Sequence, residues 1–397
     1  MFGKSKLIRI ALILALCLAP GLSAPVNTME QLPATTIISP DFSGNEAQVL
    51  AAEEKRISNP SVEVTSPNSY DSASQEEMRT ININLEMISS GLTALPEAET
   101  QDAASAKNED KAKYYVLENS LRITNASPAT CRGLKLEVPL MAEIDSPYQE
   151  MVGEEFSMQP TIINAVANGN RIGTFTFEDI APGGDTVFTQ RYTVKVDGSD
   201  WLQAQEKAEL EDLQAYLVAA PKIECTAPEI QAIASQINSQ VNDEDTLALA
   251  RTAFEFAHTT LTYDSTAPSA NKGALAGLQA RAGVCEEFAS LFVATCRASG
   301  IPARIVNGYA SDARELAQDD NPADLMGRRH QWAEFYLDGK GWIPVDPTLT
   351  NSVNSVFGEL PAGYYVAQNY GDSPIRGSYR GGQVGIGFED KVAKTVN

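Results

Sequence analysis

The chain has 397 residues, enough for two or three domains, and carries 52 acidic against 30 basic residues for a formal net charge of −22. A field of that sign argues against nucleic acid and anionic membrane surfaces as partners, since both are polyanions. With two histidines far apart, no clustered cysteines and an acidic run (Asp312, Asp319, Asp320, Asp324) that lacks calcium-loop spacing, no metal and no cofactor is expected.

Residues 1–24 read as a secretory signal: Lys4, Lys6 and Arg9, then an apolar stretch from Leu7 to Leu18, then the small-residue exit Gly21-Leu22-Ser23-Ala24. The apolar stretch is short for a membrane span. Leu16 directly before Cys17 argues against lipid attachment. The mature protein is therefore expected to be exported, periplasmic or secreted, with no stable membrane insertion after cleavage. Residues 25–110 are poor in aromatics and rich in Ser, Thr, Asn, Pro and Glu, as in an acidic, weakly ordered linker or pro-segment. Within it Ile81–Met87 alternates strictly and predicts a strand.

Residues 111–200 read as a small all-β sandwich, with strands over Tyr114–Ile123, Leu134–Val138, Ile172–Phe177 and Thr186–Val196 and turns at Asn168-Gly169-Asn170 and Pro182-Gly183-Gly184. The expected role of this domain is a scaffold or spacer. A charged helical connector is expected over 201–228. From 229 to 397 a further domain opens with helices, one carrying Ile230, Ile233 and Ile237 and the next Leu247, Ala250, Phe254 and Ala257. A short helix over Gly273–Arg281 precedes a longer one that Cys285 opens and Gly300 and Pro302 end. Strands follow over Ala303–Tyr309, His330–Leu337 and Trp342–Val345, the last two joined by the turn Asp338-Gly339-Lys340-Gly341.

This order places a thiol at a helix start and an imidazole and a carboxylate on two later strands. A thiol attacks as thiolate, and the amides and dipole of a helix N-terminus favour that form. Cys285 has that position; two glutamates follow it and Gly283 precedes it by two, which suits a helix start better than a core cysteine. His330 begins a strand, whereas His258 sits late in a helix where a capping or surface role suffices. Across the hairpin His330 and Asp346 fall near one sheet end, so the carboxylate can fix the imidazole tautomer. The Cys285 backbone N–H is a candidate oxyanion donor, and Trp332 and Trp342 read as core or groove-wall aromatics. Of the remaining thiols, Cys131 and Cys225 form the one disulfide pairing considered, and Cys296 is a small buried residue.

The motifs Gly273-Ala274-Leu275, Gly283-Val284-Cys285-Glu286-Glu287-Phe288-Ala289, Gly300-Ile301-Pro302-Ala303-Arg304, His330-Gln331-Trp332-Ala333-Glu334 and Gly341-Trp342-Ile343-Pro344-Val345-Asp346-Pro347-Thr348 together resemble the transglutaminase-like superfamily. The resemblance is to exported bacterial members described as candidate cysteine proteases. It covers roughly residues 228 to 370. Ser146-Pro147-Tyr148-Gln149 and Gly169-Asn170 are similar to the β domain that accompanies such cores. The resemblance implies an α+β fold in which a papain-like core follows a β-sandwich, with Cys285 as nucleophile, His330 as base and Asp346 as its orienting partner. It also implies a thioester intermediate formed from an amide of a peptide or protein substrate. The family typically has a tryptophan or another donor upstream of the nucleophile to complete the oxyanion site, and no tryptophan lies between Trp201 and Cys285. Hydrolysis is the expected outcome, because an open groove faces bulk water. The alternatives are crosslinking by amine transfer, a binding or assembly role of the same groove without turnover, and latency imposed by the acidic N-terminal segment.

Overall fold

A computed structural model describes residues 62–65, 78–84, 113–143, 149–166, 169–196, 213–241, 245–310, 323–348, 357–360 and 365–396. The expected signal, most of the acidic segment, the carboxylates Asp312, Asp319 and Asp320, and residues Leu85–Met87 lie outside these. Two short strands, β1 (Val62–Thr65) and β2 (Met78–Ile83), lead into β3 (Lys113–Asn125), β4 (Arg132–Leu140), β5 (Gln149–Phe156), β6 (Ile162–Ala165), β7 (Arg171–Thr176) and β8 (Asp185–Val196). The helical part holds α1 (Pro228–Gln240), α2 (Thr246–Thr260), β9 (Thr262–Tyr263), α3 (Ala274–Ala280), β10 (Ala282–Gly283) and α4 (Cys285–Ala298). After it come β11 (Ala303–Ala310), β12 (Ala323–Asp324), β13 (Arg329–Leu337), β14 (Gly341–Val345), β15 (Tyr365–Tyr370), β16 (Ile375–Arg380) and β17 (Val384–Val396). The expected α+β class is the one observed.

The strands form a six-stranded sheet ordered β1-β2-β16-β4-β7-β6, a five-stranded sheet ordered β12-β17-β3-β8-β5, a four-stranded sheet ordered β14-β13-β11-β15, and the small parallel pair β9 and β10. Two findings differ from the sequence-based expectation. The strand at Ile81 is not an isolated piece of linker, because β2 pairs with β16 from Ile375↔Ile83 to Arg380↔Met78. The C-terminal strands, expected with the helical domain, return to the sandwich: β16 pairs with β4 and β17 runs along β3 from Val384↔Asn125 to Val396↔Tyr114. Alternation reveals which face of a strand is buried and is silent on its neighbour, so these pairings between distant parts of the chain, the nearest in sequence being Arg376↔Glu137, left no local mark. The expected helical connector is also absent from the described part of its span. Residues 213–227 carry a 3-10 turn (Leu213–Tyr216) and a tight turn closed by the Ala220–Ile223 bridge around Pro221 and Lys222.

Three apolar cores follow from this topology. Leu121, Ile123, Leu134, Leu136, Phe175 and Phe188 fill the sandwich between the six- and five-stranded sheets. α4 is buried along nearly its whole length, with Phe288, Leu291 and Phe292 against Ile305, Ala333 and Phe335 of the four-stranded sheet and Phe254 of α2. A third core joins the two halves: Tyr115, Leu117, Tyr192 and Val194 meet Tyr309, Leu325 and Val366. β3 and β17 have 13 residues each, about twice the usual strand length, because one face of each serves two cores in turn. Cys131 lies in the sandwich core and Cys225 and Cys296 in the helical one, and all of the described cysteines are free thiols, so the Cys131–Cys225 bridge is not formed.

Candidate active site

Cys285 is the first residue of α4, directly after the extended Val284. The turn that delivers it is held by Glu287, whose buried carboxylate accepts hydrogen bonds from the backbone N–H of Lys272 (2.7 Å), Gly273 (3.3 Å) and Val284 (2.9 Å). One side chain thereby fixes the loop before α3 and the entry to α4. Gly277 and Gly283 leave the room it needs, since a Cβ at either would come within 2.8 Å or less of the Glu287 side chain. Glu286 points elsewhere, to Lys222 Nζ at 3.0 Å and Ser290 Oγ at 3.2 Å. Burial pushes its carboxyl up to about 7 against the pull of Lys222, with Glu287 adding to the rise.

His330 is the second residue of β13, and Asp346 follows β14 directly across the hairpin. The structure brings them together: His330 Nε2 lies 2.6 Å from Asp346 Oδ2, with both side chains fully buried. Asp346 Oδ2 also accepts from Tyr365 Oη at 2.7 Å, and Oδ1 from the Thr348 backbone N–H at 2.9 Å. With Nε2 committed, Nδ1 is the ring nitrogen left to meet the thiol. Burial alone would depress the imidazolium, but Asp346 and Cys285 outweigh it and raise His330 to about 10. For Asp346 burial pushes upward, and His330, Tyr365 and the Thr348 amide overcome it and hold the carboxyl below its ordinary value. A buried imidazole flanked by a carboxylate and a thiol can take the thiol proton, becoming an imidazolium that the carboxylate stabilises, and return that proton to a leaving group.

Two residues at this site had no distinctive sequence signal. Tyr365 lies beyond the recognisable motifs, and only the pairing of β15 with β11 brings it to Asp346. His258 does more than cap α2: its Nδ1 lies 2.9 Å from the Pro347 carbonyl oxygen, so it donates there and steadies the turn that carries Asp346. Glu287 was visible in principle, since Glu at the third position of a helix is a capping signal. Trp332 is a wall aromatic, packed edge-on to Tyr365 and stacked near His330. Trp342 instead covers the Arg304 guanidinium at 4.0 Å, and Glu334 holds that guanidinium at 2.7 Å. A polar cavity of about 70 Å³, lined in part by Lys222, Glu286, Ser290, Asn307 and Gln331, runs beside the site; Cys285, His330 and Asp346 do not line it. Among the described residues no group of side chains has the makings of a metal site, and no helix is long and apolar enough to cross a membrane.

The chain is similar in part to known proteins. Residues 231–347 match the family model of the transglutaminase-like superfamily. An uncharacterized Haemophilus influenzae protein is 41% identical over 75 residues, which are 16% of this chain and 20% of that protein. A Pseudomonas aeruginosa protein-glutamine gamma-glutamyltransferase is 40% identical over 73 residues, 17% of this chain and 10% of that protein. The chain thus spans a fifth or less of the length of these two relatives. A Cytophaga hutchinsonii structure described as a candidate cysteine protease covers 72% of this chain and 93% of its own at 18% identity, with a TM-score of 0.46. Cys285, His330 and Asp346 all lie within the segment that matches the transglutaminase-like superfamily.

Proposed function

We propose that the protein is a thiol-dependent acyl-transfer enzyme acting on amide bonds of peptides or proteins. The Cys285 proton passes to His330 and the thiolate attacks the amide carbonyl; the tetrahedral intermediate collapses as His330 gives that proton to the leaving amine; a thioester remains. Asp346 keeps the imidazole in the tautomer that leaves Nδ1 for the thiol. The Cys285 backbone N–H, at the amide end of α4, is the donor assigned to the oxyanion. The observation that carries the reading is the buried His330–Asp346 contact at 2.6 Å with Cys285 acting on the same ring. Export of the mature chain is part of the proposal and rests on the first 24 residues.

The acyl acceptor is water or a primary amine. Hydrolysis was expected from an open, water-facing groove, yet Cys285, His330 and Asp346 are all 0% exposed. That closure favours a site from which water can be shut out, and it gives amine transfer equal standing as the second reading. The test has two stages. Alkylation of Cys285, with Cys285→Ala subtracting the other thiols, should slow about a hundredfold or more in His330→Ala, the lower end of ordinary general-base effects. Indifference to His330 would remove the acyl-transfer reading. Mass analysis of a glutamine-containing protein incubated with and without a primary amine then separates hydrolysed from amine-bearing product.

A further inference from the structure

The five-stranded sheet carries a polar row where its apolar face passes from one core to the next. Along β3 the buried stripe runs Tyr115, Leu117, Asn119, Leu121, Ile123; along β8 it runs Phe188, Gln190, Tyr192, Val194; along β17 it runs Val384, Ile386, Phe388, Asp390, Val392. The three interruptions stand opposite one another, Asp390↔Asn119 and Asn119↔Gln190, so they form one rung across three strands. The rung faces the four-stranded sheet. Asp390 Oδ2 accepts from Arg329 Nε at 2.8 Å and lies 2.7 Å from Arg329 Nη2, with the two side chains only 5% and 8% exposed. Asn119 Nδ2 donates to Asp390 Oδ1 at 2.9 Å and to Tyr309 Oη at 2.6 Å, and its Oδ1 accepts from Gln368 Nε2 at 2.8 Å.

The residues held by this rung are the immediate neighbours of the proposed base. Arg329 precedes His330 on β13, and Tyr309 is the register partner of Arg329 on β11. The chain leading to them is fastened to the same strand: β12 pairs with β17 through Ala323↔Val392 and Asp324↔Lys391, and the Leu325 N–H donates to the Asp390 carbonyl at 2.8 Å. On the far edge of the four-stranded sheet, two sandwich amides replace a missing strand. Gln149 pairs with both the N–H and the carbonyl of Ala367 (2.8 and 2.7 Å), and Asn170 does the same for Tyr370 (2.8 and 2.7 Å). Those residues belong to β15, which carries Tyr365.

We infer that the sandwich is a working part of the active site, its C-terminal strand β17 holding His330 in register with Cys285 through the Asp390–Arg329 pair. An apolar junction would slide at little cost; a directional fork of two N–H donors on one carboxylate, one residue from the imidazole, does not. Arg329 and Asp390 are positioning residues, and the inference rests on the reading of His330 as the base. It replaces the expectation that the sandwich is a spacer.

The test reads His330 itself. The chain has two histidines, so the ¹⁵N spectrum of histidine-labelled protein holds two imidazoles, assigned with His258→Gln. Two folded variants are compared with the parent: Asp390→Asn, and the double variant Arg329→Met/Asp390→Leu, which fills similar volume and leaves no charge at the pair. The second separates position from charge, because a neutral replacement exerts no net field on the ring. It also keeps the test alive if Asp390→Asn does not fold, since apolar replacement of a buried ion pair is commonly tolerated. In the double variant we expect the His330 titration midpoint to fall by about one unit or more as its contacts with Asp346 and Cys285 loosen. Cys285 alkylation near neutral pH should slow by about tenfold or more, a part of the roughly hundredfold or greater contribution of a general base, while the His258 signals stay in place. An unchanged His330 midpoint in the folded double variant overturns the inference, leaving the pair a merely structural contact. A parent whose alkylation ignores His330→Ala, with the midpoint still moving in the double variant, defeats the acyl-transfer reading and leaves the positioning intact.

Discussion

Replacing Asp346 by asparagine keeps the shape of the site and removes the charge opposite His330. The consequence for stability depends on pH in a way the structure specifies. A histidine raised in the folded state stabilises the fold fully below its unfolded value and loses that contribution as pH rises through the folded value. With an unfolded value near 6.5 and a folded one of about 10, the contribution plateaus at about 5 kcal/mol in mild acid. It is about 4 kcal/mol at pH 7, about 1.5 at pH 9 and about zero by pH 11. In Asp346→Asn, burial acts on the ring with only Cys285 still opposing it, so most of the rise is lost. The gap between parent and variant should therefore shrink by up to about 2.5 kcal/mol between pH 7 and pH 9. A variant value below 6.5 scarcely alters that difference. On the acid side the depressed Asp346 works in the opposite sense, its contribution fading as pH falls below about 3.9. The assay is urea unfolding of both proteins at pH 6, 7, 8, 9 and 10. A gap that stays flat across this range would refute the claim that the pair is charged in the folded protein.

Other perturbations are equally direct. A Cβ on Gly308, the register partner of His330, would overlap the Val366 carbonyl oxygen and sit 2.9 Å from Trp332 Cη2, so Gly308→Ala should cost about 3 kcal/mol or more, read by thermal unfolding. Glu287→Gln leaves the helix entry one charged acceptor short of its three backbone donors; the expected loss is about 2–3 kcal/mol, with slower Cys285 alkylation, measured by urea unfolding and mass spectrometry. Gln149→Leu strands the N–H and carbonyl of Ala367 inside the protein; a loss of about 2–4 kcal/mol is expected, with faster hydrogen exchange centred on β15.

The candidate site was legible because its geometry is mostly local. A glycine-led helix start fixes where Cys285 stands, and a four-residue turn fixes the hairpin that sets Asp346 beside His330. The strands around Tyr115, Phe175 and Tyr192 were legible as buried faces for the same reason, since alternation needs only a handful of residues. What stayed hidden depends on distant registers. Asn119, Gln190 and Asp390 each look like a lone polar residue in an apolar stripe, and their alignment becomes apparent only once β17 is laid along β3 and β8. The partnership of Tyr365 with Asp346 was invisible for a like reason, because it requires β15 to pair with β11.

The location of the polar rung also bears on how the protein becomes active. A buried ion pair such as Arg329–Asp390 adds little to stability, because desolvating both charges cancels most of their attraction, and it is worth retaining where it selects one arrangement over near alternatives. Here the arrangement selected is the register of β13 against β17, the last of the described strands. Helix α4 and the hairpin of β13 and β14 can form from contiguous sequence. The grip on Arg329 cannot, since Asp390 stands 61 residues beyond it and 271 beyond Asn119. Closing loops of that length is the slow part of assembling such a topology. On this account the thiol and its base come into working order only once β17 has docked on the sandwich.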